Sequence, residues 1–398
     1  MPWRQRGQRV AAAAVAALGA VIAGTMLAGC VSGSGSGTPA KSGTGDDAVT
    51  VFAGAAPPLH VSGNALVDTA GQRVILRGVD RSGGEFTCIQ GTGIWDGPMG
   101  QASVAAIKAW RVDAVRVPLN EACWNGASYV KPAFAGANYQ RAVAEYVRLL
   151  NRNGIIAILD LHLTAGAYTG LGASCPSPEA VCQKPMPDRG QSVTFWRSVA
   201  QTFKGNNAVI FDLFNEPFPE LAAGGNEAAG WHCWRDGGSA CAGIGYPVVG
   251  MQTLVDTIRA TGASNVIMIG GIGFATNLSG WLAHEPADPD HNLAAAWHSY
   301  SGSSCSNLAC WNSQVAPVTA KVPLIAGEIG SMTCTAGYLD TLMRWLDSHS
   351  ASYLAWAWNA DFSCAGGPSV ITSYSGSATV PGAAFRAHLT ALARVSRS

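Results

Sequence analysis

Charge is scarce in this sequence: only 13% of its 398 residues are Asp, Glu, Lys or Arg, and 25 acidic side chains balance 25 basic ones. So thin and even a distribution leaves no electrostatic footprint for nucleic acid, an anionic membrane surface or an acidic polymer, and a neutral partner is expected. Zinc spacings are missing as well. Neither Cys-x-x-Cys nor His-Glu-x-x-His occurs, so no metal site of those kinds is expected. The first strand-like run leads into Arg77-Gly78-Val79-Asp80-Arg81-Ser82-Gly83-Gly84 without a Gly-x-Gly-x-x-Gly phosphate turn, and glycines 270, 271 and 273 lack the third member. The Gly-x-Ser-x-Gly elbow of an esterase is absent. No repeat of 20–50 residues marks a solenoid.

Apolar residues make up 48%, enough for a large core, and thirteen are tryptophans. Indole rings stack on the C–H faces of sugars, although most tryptophans in a chain of this size serve the core. The N-terminus carries Arg4, Arg6 and Arg9, then an almost unbroken apolar run from Val10 to Gly29. That pattern is a targeting segment and is set apart from the fold. The run ends in Leu27-Ala28-Gly29-Cys30, which resembles the lipobox of bacterial lipoproteins. The resemblance implies a signal peptide over residues 1–29, lipidation of Cys30 and an exported protein tethered at the cell surface. A Gly/Ser/Thr/Pro stretch follows and reads as a flexible linker within residues 30–58. Residues 59–398 then form a single catalytic domain. Besides Cys30 there are ten cysteines, an even number that suggests disulfides in an exported chain. Connectivity stays open; close spacing suits Cys175–Cys182, Cys233–Cys241 and Cys305–Cys310, with Cys88–Cys123 and Cys334–Cys364 left over.

Short, continuous apolar runs alternate with longer helical patterns. The runs are Val74–Val79, Ala114–Pro118, Ile155–Leu161, Ala208–Phe214, Asn265–Gly270, Leu293–His298, Val322–Ala326 and Tyr353–Trp358. Continuity rather than alternation fits strands buried on both faces. Helical patterns cover Ser103–Trp110, Tyr139–Asn151, Ser192–Phe203, Val248–Thr261 and Tyr338–Ser348. Eight such strands in βα alternation predict an α/β fold, a (β/α)8 TIM barrel, over an open doubly wound sheet.

Polar residues end or follow the runs: Arg116 the second, His162 the third, Asn215-Glu216-Pro217 the fourth, His298 and Tyr300 the sixth and Glu328 the seventh, with Trp356 in the last run. A barrel gathers the C-terminal ends of its strands on one face, so residues spread over 240 positions of sequence would share a cleft. Two carboxylates in one cleft can break a glycosidic bond, one protonated as acid and one ionised as nucleophile. The charge of one is expected to raise the pKa of the other.

Phe214-Asn215-Glu216-Pro217 and Gly327-Glu328 resemble glycoside hydrolase family 5, the cellulase-like retaining hydrolases. The likeness extends to Leu76-Arg77-Gly78-Val79, Val115-Arg116-Val117-Pro118, Asp160-Leu161-His162, Trp297-His298-Ser299-Tyr300 and Ala355-Trp356, and covers about residues 59–392. The resemblance implies Glu216 as acid/base and Glu328 as nucleophile. It implies that Arg116 and Tyr300 hydrogen-bond the nucleophile, that Asn215 meets the sugar 2-hydroxyl, that His162 and His298 line the subsite, and that Trp356 floors it. The expected enzyme is a monomeric endo-β-1,4-glucanase needing no cofactor and acting on a neutral β-linked polysaccharide, with membrane contact only through the lipid anchor. Exo-glycosidase, mannanase and glycolipid or envelope-glycan hydrolase are alternatives on the same fold, as is a non-catalytic carbohydrate-binding lipoprotein. Trp358 competes with Trp356 for the floor, and Trp95, Trp124 and Trp311 are weaker sugar platforms. The segment from Ala222 to Tyr246 reads as an inserted loop whose Trp231 and Trp234 either wall a subsite or pack the loop. Asp160 reads as a strand-end structural residue, and Gln183–Asp188 as a cleft rim without a chemical role.

Overall fold

The computed structural model describes residues 54–362, 364 and 367–395; the expected signal segment, Cys30 and the expected linker up to residue 53 lie outside them. Three short strands, β1 (His60–Ser62), β2 (Ala65–Val67) and β3 (Arg73–Val74), pair antiparallel. Eight parallel strands follow: β4 (Arg77–Asp80), β5 (Ala114–Asn120), β6 (Ile156–Leu163), β7 (Val209–Asp212), β8 (Ile267–Gly270), β9 (Leu293–Tyr300), β10 (Leu324–Gly330) and β11 (Ser352–Ala355). They close into a barrel in chain order, with β11 pairing back on β4 through Tyr353↔Arg77, Leu354↔Gly78 and Ala355↔Val79. A small hairpin, β12 (Ile371–Ser373) with β13 (Ser377–Ala378), and a terminal helix Val380–Val395 complete the chain.

All eight expected strands are present, and β5, β7, β8, β10 and β11 are buried along their whole length. One side of each strand packs inward and the other meets a helix, which is why their sequences do not alternate. The helices Gln101–Lys108, Ala137–Arg152, Gln191–Phe203, Met251–Arg259 and Gly337–Ser348 match the sequence patterns to within a few residues. Besides the hairpin β12–β13 and the terminal helix, two elements that bear on the barrel escaped the sequence reading. One is β1–β3, whose strands are too short to show a period. Leu59, Leu66, Val74 and Leu76 from this region join Ile156, Ile158, Ile210 and Met268 in one apolar cluster. The Val61 amide donates to Asn292 Oδ1 at 2.6 Å and Asn64 Nδ2 to the Thr319 carbonyl at 3.0 Å. Both acceptors precede barrel strands, so the small sheet caps the N-terminal end of the barrel. The other is the helix Glu227–Asp236 inside the expected loop.

The five disulfides are Cys88–Cys123, Cys175–Cys182, Cys233–Cys241, Cys305–Cys310 and Cys334–Cys364. Among the described residues no helix is long and apolar enough to cross a membrane.

Asp347, at the end of the helix Gly337–Ser348, ties the seam together. It accepts from Arg77 Nη2 at 2.8 Å, His388 Nε2 at 2.6 Å and the Tyr353 hydroxyl at 3.3 Å, joining β4, β11 and the terminal helix. Burial opposes its charge, but the bonds from His388 and Arg77 outweigh burial and hold its pKa below the ordinary value. Asp347→Asn would leave the fully buried Arg77 guanidinium without its counter-charge. A loss of about 2–3 kcal/mol of unfolding free energy at pH 7 is expected. A carboxylate with depressed pKa contributes fully above the unfolded value of about 4 and loses that contribution as pH falls below it. Urea titrations at pH 7 and pH 3 should therefore show the gap between wild type and variant shrinking with acid; a constant gap would contradict the assignment.

Candidate active site

Every residue singled out from the strand ends lies at the C-terminal mouth of the barrel. Asp80 ends β4, Arg116 sits in β5, Asp160 and His162 in β6, and Asp212 ends β7. Asn215 and Glu216 follow β7, His298 and Tyr300 close β9, Glu328 lies in β10, and Trp356 comes directly after β11. The pairing of β10 with β9 shifts register between Ala326 and Glu328. Gly327 sits in that irregularity, and a Cβ there would lie 3.1 Å from His298 Nε2. A side chain at 327 would press on the imidazole, so this position favours glycine while the bulge turns Glu328 toward the mouth.

Arg116 is the hub. Its Nε donates to Asp212 at 2.8 Å, Nη1 to Asp80 at 3.0 Å and to Glu328 Oε1 at 2.7 Å, and Nη2 to Asn215 Oδ1 at 2.8 Å. Nη2 also pairs with Asp160 Oδ2 at 3.0 Å. Burial would strip the guanidinium of its proton, but four surrounding carboxylates overcome that and keep it charged. The reverse does not hold for all four acids. One cation cannot neutralise them, and burial pushes the Asp80 carboxyl well up and Asp212 to about 8 despite Arg116. The far oxygens of Asp80 and Asp212 have no protein hydrogen-bond partner, so little else stabilises their charge. Glu328, by contrast, has both oxygens occupied: Oε1 by Arg116, and Oε2 by the Tyr300 hydroxyl at 2.5 Å. Burial and the charges of Glu328 and Glu216 push the Tyr300 phenol well above its ordinary value, so it remains a donor.

Glu216 stands in a different setting. Its Oε1 lies 3.1 Å from His298 Nδ1, and its Oε2 accepts from Gln183 Nε2 at 2.8 Å. Burial raises its pKa; the Gln183 bond, His162 and Arg116 work against the rise and Asp160 adds to it. Burial, rather than the charge of Glu328 expected from sequence, is thus the largest cause. His298 is pulled down to about 4, chiefly by burial, so a neutral imidazole faces Glu216. One carboxylate oxygen of Glu216, one of Glu328 and a ring nitrogen of His298 lie within 4.8 Å of one another. Such a trio could also hold a cation.

Asp160 does more than end a strand: besides Arg116 it binds His162 Nδ1 at 2.6 Å. Burial disfavours a charged ring at His162, but Asp160 outweighs it and pushes the pKa up to about 9. The His162 ring stacks on Trp356 with centroids 5.5 Å apart and planes 17° from parallel. Trp356 is half-buried, whereas Trp358 is fully buried against Trp110 at 4.9 Å, so Trp358 cannot serve as the floor. Trp124 and Trp311 are buried in the core, and Trp95 packs against Tyr139 and Tyr146. Trp231 and Trp234 are buried against each other at 5.2 Å, which settles them as packing for their helix.

Gln183 is the functional contact that sequence reasoning missed. The Gln183–Asp188 segment is no idle rim, because its first residue touches a catalytic candidate. Its only signal in sequence was its place next to Cys182. Asp80 and Asp212, both strand-terminal acids, were also passed over.

The family model described as cellulase (glycosyl hydrolase family 5) matches residues 67–362. A mannan endo-1,4-beta-mannosidase of Streptomyces lividans is 23% identical over 315 residues, covering 77% of this chain and 67% of that protein. Among solved structures, a β-glucanase from Saccharophagus degradans superposes with a TM-score of 0.64 at 18% identity, covering 89% of this chain and 98% of that one. The catalytic domain of a mannanase from Streptomyces sp. SirexAA-E gives a TM-score of 0.54 at 21% identity, covering 81% and 85%.

Asp212→Asn mimics the protonated carboxyl and keeps an acceptor for Arg116 Nε. A group whose folded pKa is raised costs stability as pH climbs from its unfolded value toward its folded one. The variant should therefore match wild type within about 1 kcal/mol at pH 5, and become the more stable of the two at pH 9. Denaturant midpoints at the two pH values test this; a variant weaker at pH 9 than at pH 5, relative to wild type, would sink it.

Proposed function

The chain belongs to glycosyl hydrolase family 5, and on that premise we propose that it is an endo-acting, retaining β-1,4-glycanase with Glu328 as nucleophile and Glu216 as general acid/base. The observation that carries this reading is the pair of carboxylates with oxygens within 4.8 Å, each in its own environment. Retaining enzymes hold their carboxyl groups about 5 Å apart, whereas inverting enzymes need a wider gap to admit a water. Arg116 and Tyr300 donate to both oxygens of Glu328, which holds the nucleophile in place. Burial favours the protonated form of Glu216, as an acid requires.

In the first step a Glu328 oxygen bonds to the anomeric carbon, the glycosidic C–O bond breaks, and Glu216 gives its proton to the leaving oxygen. Esterification cancels the charge of Glu328, which lowers the proton affinity of Glu216. Glu216, now ionised, takes a proton from water as the water oxygen displaces Glu328 and restores the starting configuration. Arg116 occupies Asn215 Oδ1, so the Asn215 amide N–H groups are left for the sugar 2-hydroxyl. The open face of Trp356, backed by the imidazolium of His162, stacks under the ring.

A neutral, hydroxyl-rich glycan suits a chain whose charges balance. We place β-1,4-glucan first. Mannan is the second reading, favoured by the Streptomyces mannosidase and mannanase among the relatives. Export as a lipoprotein anchored at Cys30 is part of the proposal; the five disulfides support an oxidising compartment. Cys30→Ser should move the protein from the membrane fraction to the medium, and an unchanged distribution would remove the anchor.

Glu216→Gln and Glu328→Gln are each expected to cut turnover on oligosaccharides by about 10²–10⁴-fold while melting as wild type does. Azide should rescue Glu328→Gly on an activated glycoside and yield the inverted glycosyl azide. Defined gluco-, manno-, xylo- and mixed-linkage oligosaccharides, followed by NMR, should show internal cleavage with β-anomer released first. Initial release of the α-anomer would refute retention.

A further inference from the structure

Gln183 gives its amide entirely to one residue. Nε2 donates to Glu216 Oε2 at 2.8 Å and to the backbone carbonyl of Glu216 at 3.1 Å. An amide nitrogen carries two protons, and these two acceptors use both. The arrangement fixes the plane of the Gln183 amide and, through it, the rotation of the Glu216 carboxyl.

The segment around Gln183 cannot drift from Glu216. Cys182 is bonded to the buried Cys175. The buried Lys184 ammonium donates to the Ser177 carbonyl at 2.7 Å and the Cys175 carbonyl at 3.3 Å. The Phe218 amide, two residues past Glu216, donates to the Pro185 carbonyl at 3.0 Å, and the Val249 amide donates to Pro187 at 3.1 Å. The Tyr246 hydroxyl donates to the Met186 carbonyl at 2.6 Å. Gln183 is thus the one half-buried side chain at the head of a run, 184–188, that is buried and stitched on both sides.

We propose that Gln183 is a positioning residue for the general acid/base: a clamp that fixes the Glu216 carboxyl against the leaving oxygen and favours its ionised form. The proposal rests on the assignment of Glu216 made above. An N–H that donates to a carboxylate stabilises the charged state, so the clamp opposes the burial that favours the proton. The other groups bearing on Glu216 are His298 and Tyr300 on β9, Glu328 on β10, Arg116 on β5, and Asp160 and His162 on β6. Of these, only His298 and Gln183 hydrogen-bond its carboxyl oxygens, and His298 stays neutral down to about pH 4. The clamp serves the second half of the reaction, in which Glu216 must be ionised to take a proton from water. It also keeps the acid from titrating too high to be reset in each cycle.

The test compares the pH profiles of kcat and KM for wild type, Gln183→Met and Gln183→Glu on an unactivated oligosaccharide. Methionine keeps the length and removes the donor; glutamate keeps the shape and replaces the donor with an acceptor. The alkaline limb of kcat reports the acid. It should rise by about 0.5–1 pH unit in Gln183→Met and further in Gln183→Glu, with kcat down about tenfold. The acid limb and KM should hold. A fall in activity at all pH values with the alkaline limb unmoved would overturn the proposal, because a merely structural role predicts that. Melting curves show whether each variant is folded; if Gln183→Met is not, Gln183→Glu carries the reading alone. Glu216→Gln is run beside them. Full turnover in that variant would instead bring down the acid/base assignment, whereas its loss alongside an unmoved limb would remove only the clamp.

Discussion

One buried guanidinium holds the catalytic end of this barrel together. Arg116 reaches carboxylates from β4, β6, β7 and β10 and the side chain of Asn215, so all its donors are engaged with groups from other strands. A lysine could supply the charge but not the fork that addresses five acceptors in fixed directions. The ion pairs are not simple gains in stability. Desolvation of so many charges is costly, and burial raises the pKa of both Asp80 and Asp212 despite Arg116. What the cluster supplies is position. Glu328 is pinned at both oxygens, and Asn215 is held by its side-chain oxygen.

The two candidate catalytic carboxylates differ because their surroundings do. Glu328 receives donors from a cation and a phenol. Glu216 receives a neutral imidazole and a neutral amide in a buried setting. That contrast is what separates their roles: the donors hold Glu328 in place, and burial raises the pKa of Glu216. The sequence pattern suggested that the charge of one would raise the pKa of the other, but for Glu216 burial is the largest cause.

Much of this was legible beforehand, and the reason is periodicity. Eight continuous apolar runs mark eight strands buried on both sides, and a closed parallel barrel brings whatever follows them to one mouth. That logic brought Glu216, Glu328, Arg116, His162, Asn215, His298, Tyr300 and Trp356 together from their places in or just after the runs. It also led to the exclusion of a nucleotide turn. It failed where position along a strand carries no information. Gln183 lies between a disulfide and a proline-rich run, and only the tertiary path of that segment brings it to Glu216. Trp231, Trp234 and Trp358 are the same residue type as a sugar platform, yet they are buried, and residue type alone does not decide between cleft and core. The capping sheet β1–β3 was invisible because two- and three-residue strands have no measurable period.

The disulfides have a consequence for how the molecule is assembled. They span between 5 and 35 residues of sequence, and each joins neighbours along the chain. None crosses the seam where β11 meets β4, although those strands lie more than 270 residues apart in sequence. Short loops close at little entropic cost and can find their partners while the chain is still open. Thiol sorting is therefore a local matter, completed segment by segment, and mispairing over long distances competes poorly with it. The slow, cooperative event is left to the seam, where the last strand must locate the first with no covalent help. Oxidation within these short segments needs no closed barrel, whereas the cleft that the loops border becomes whole only when the barrel shuts.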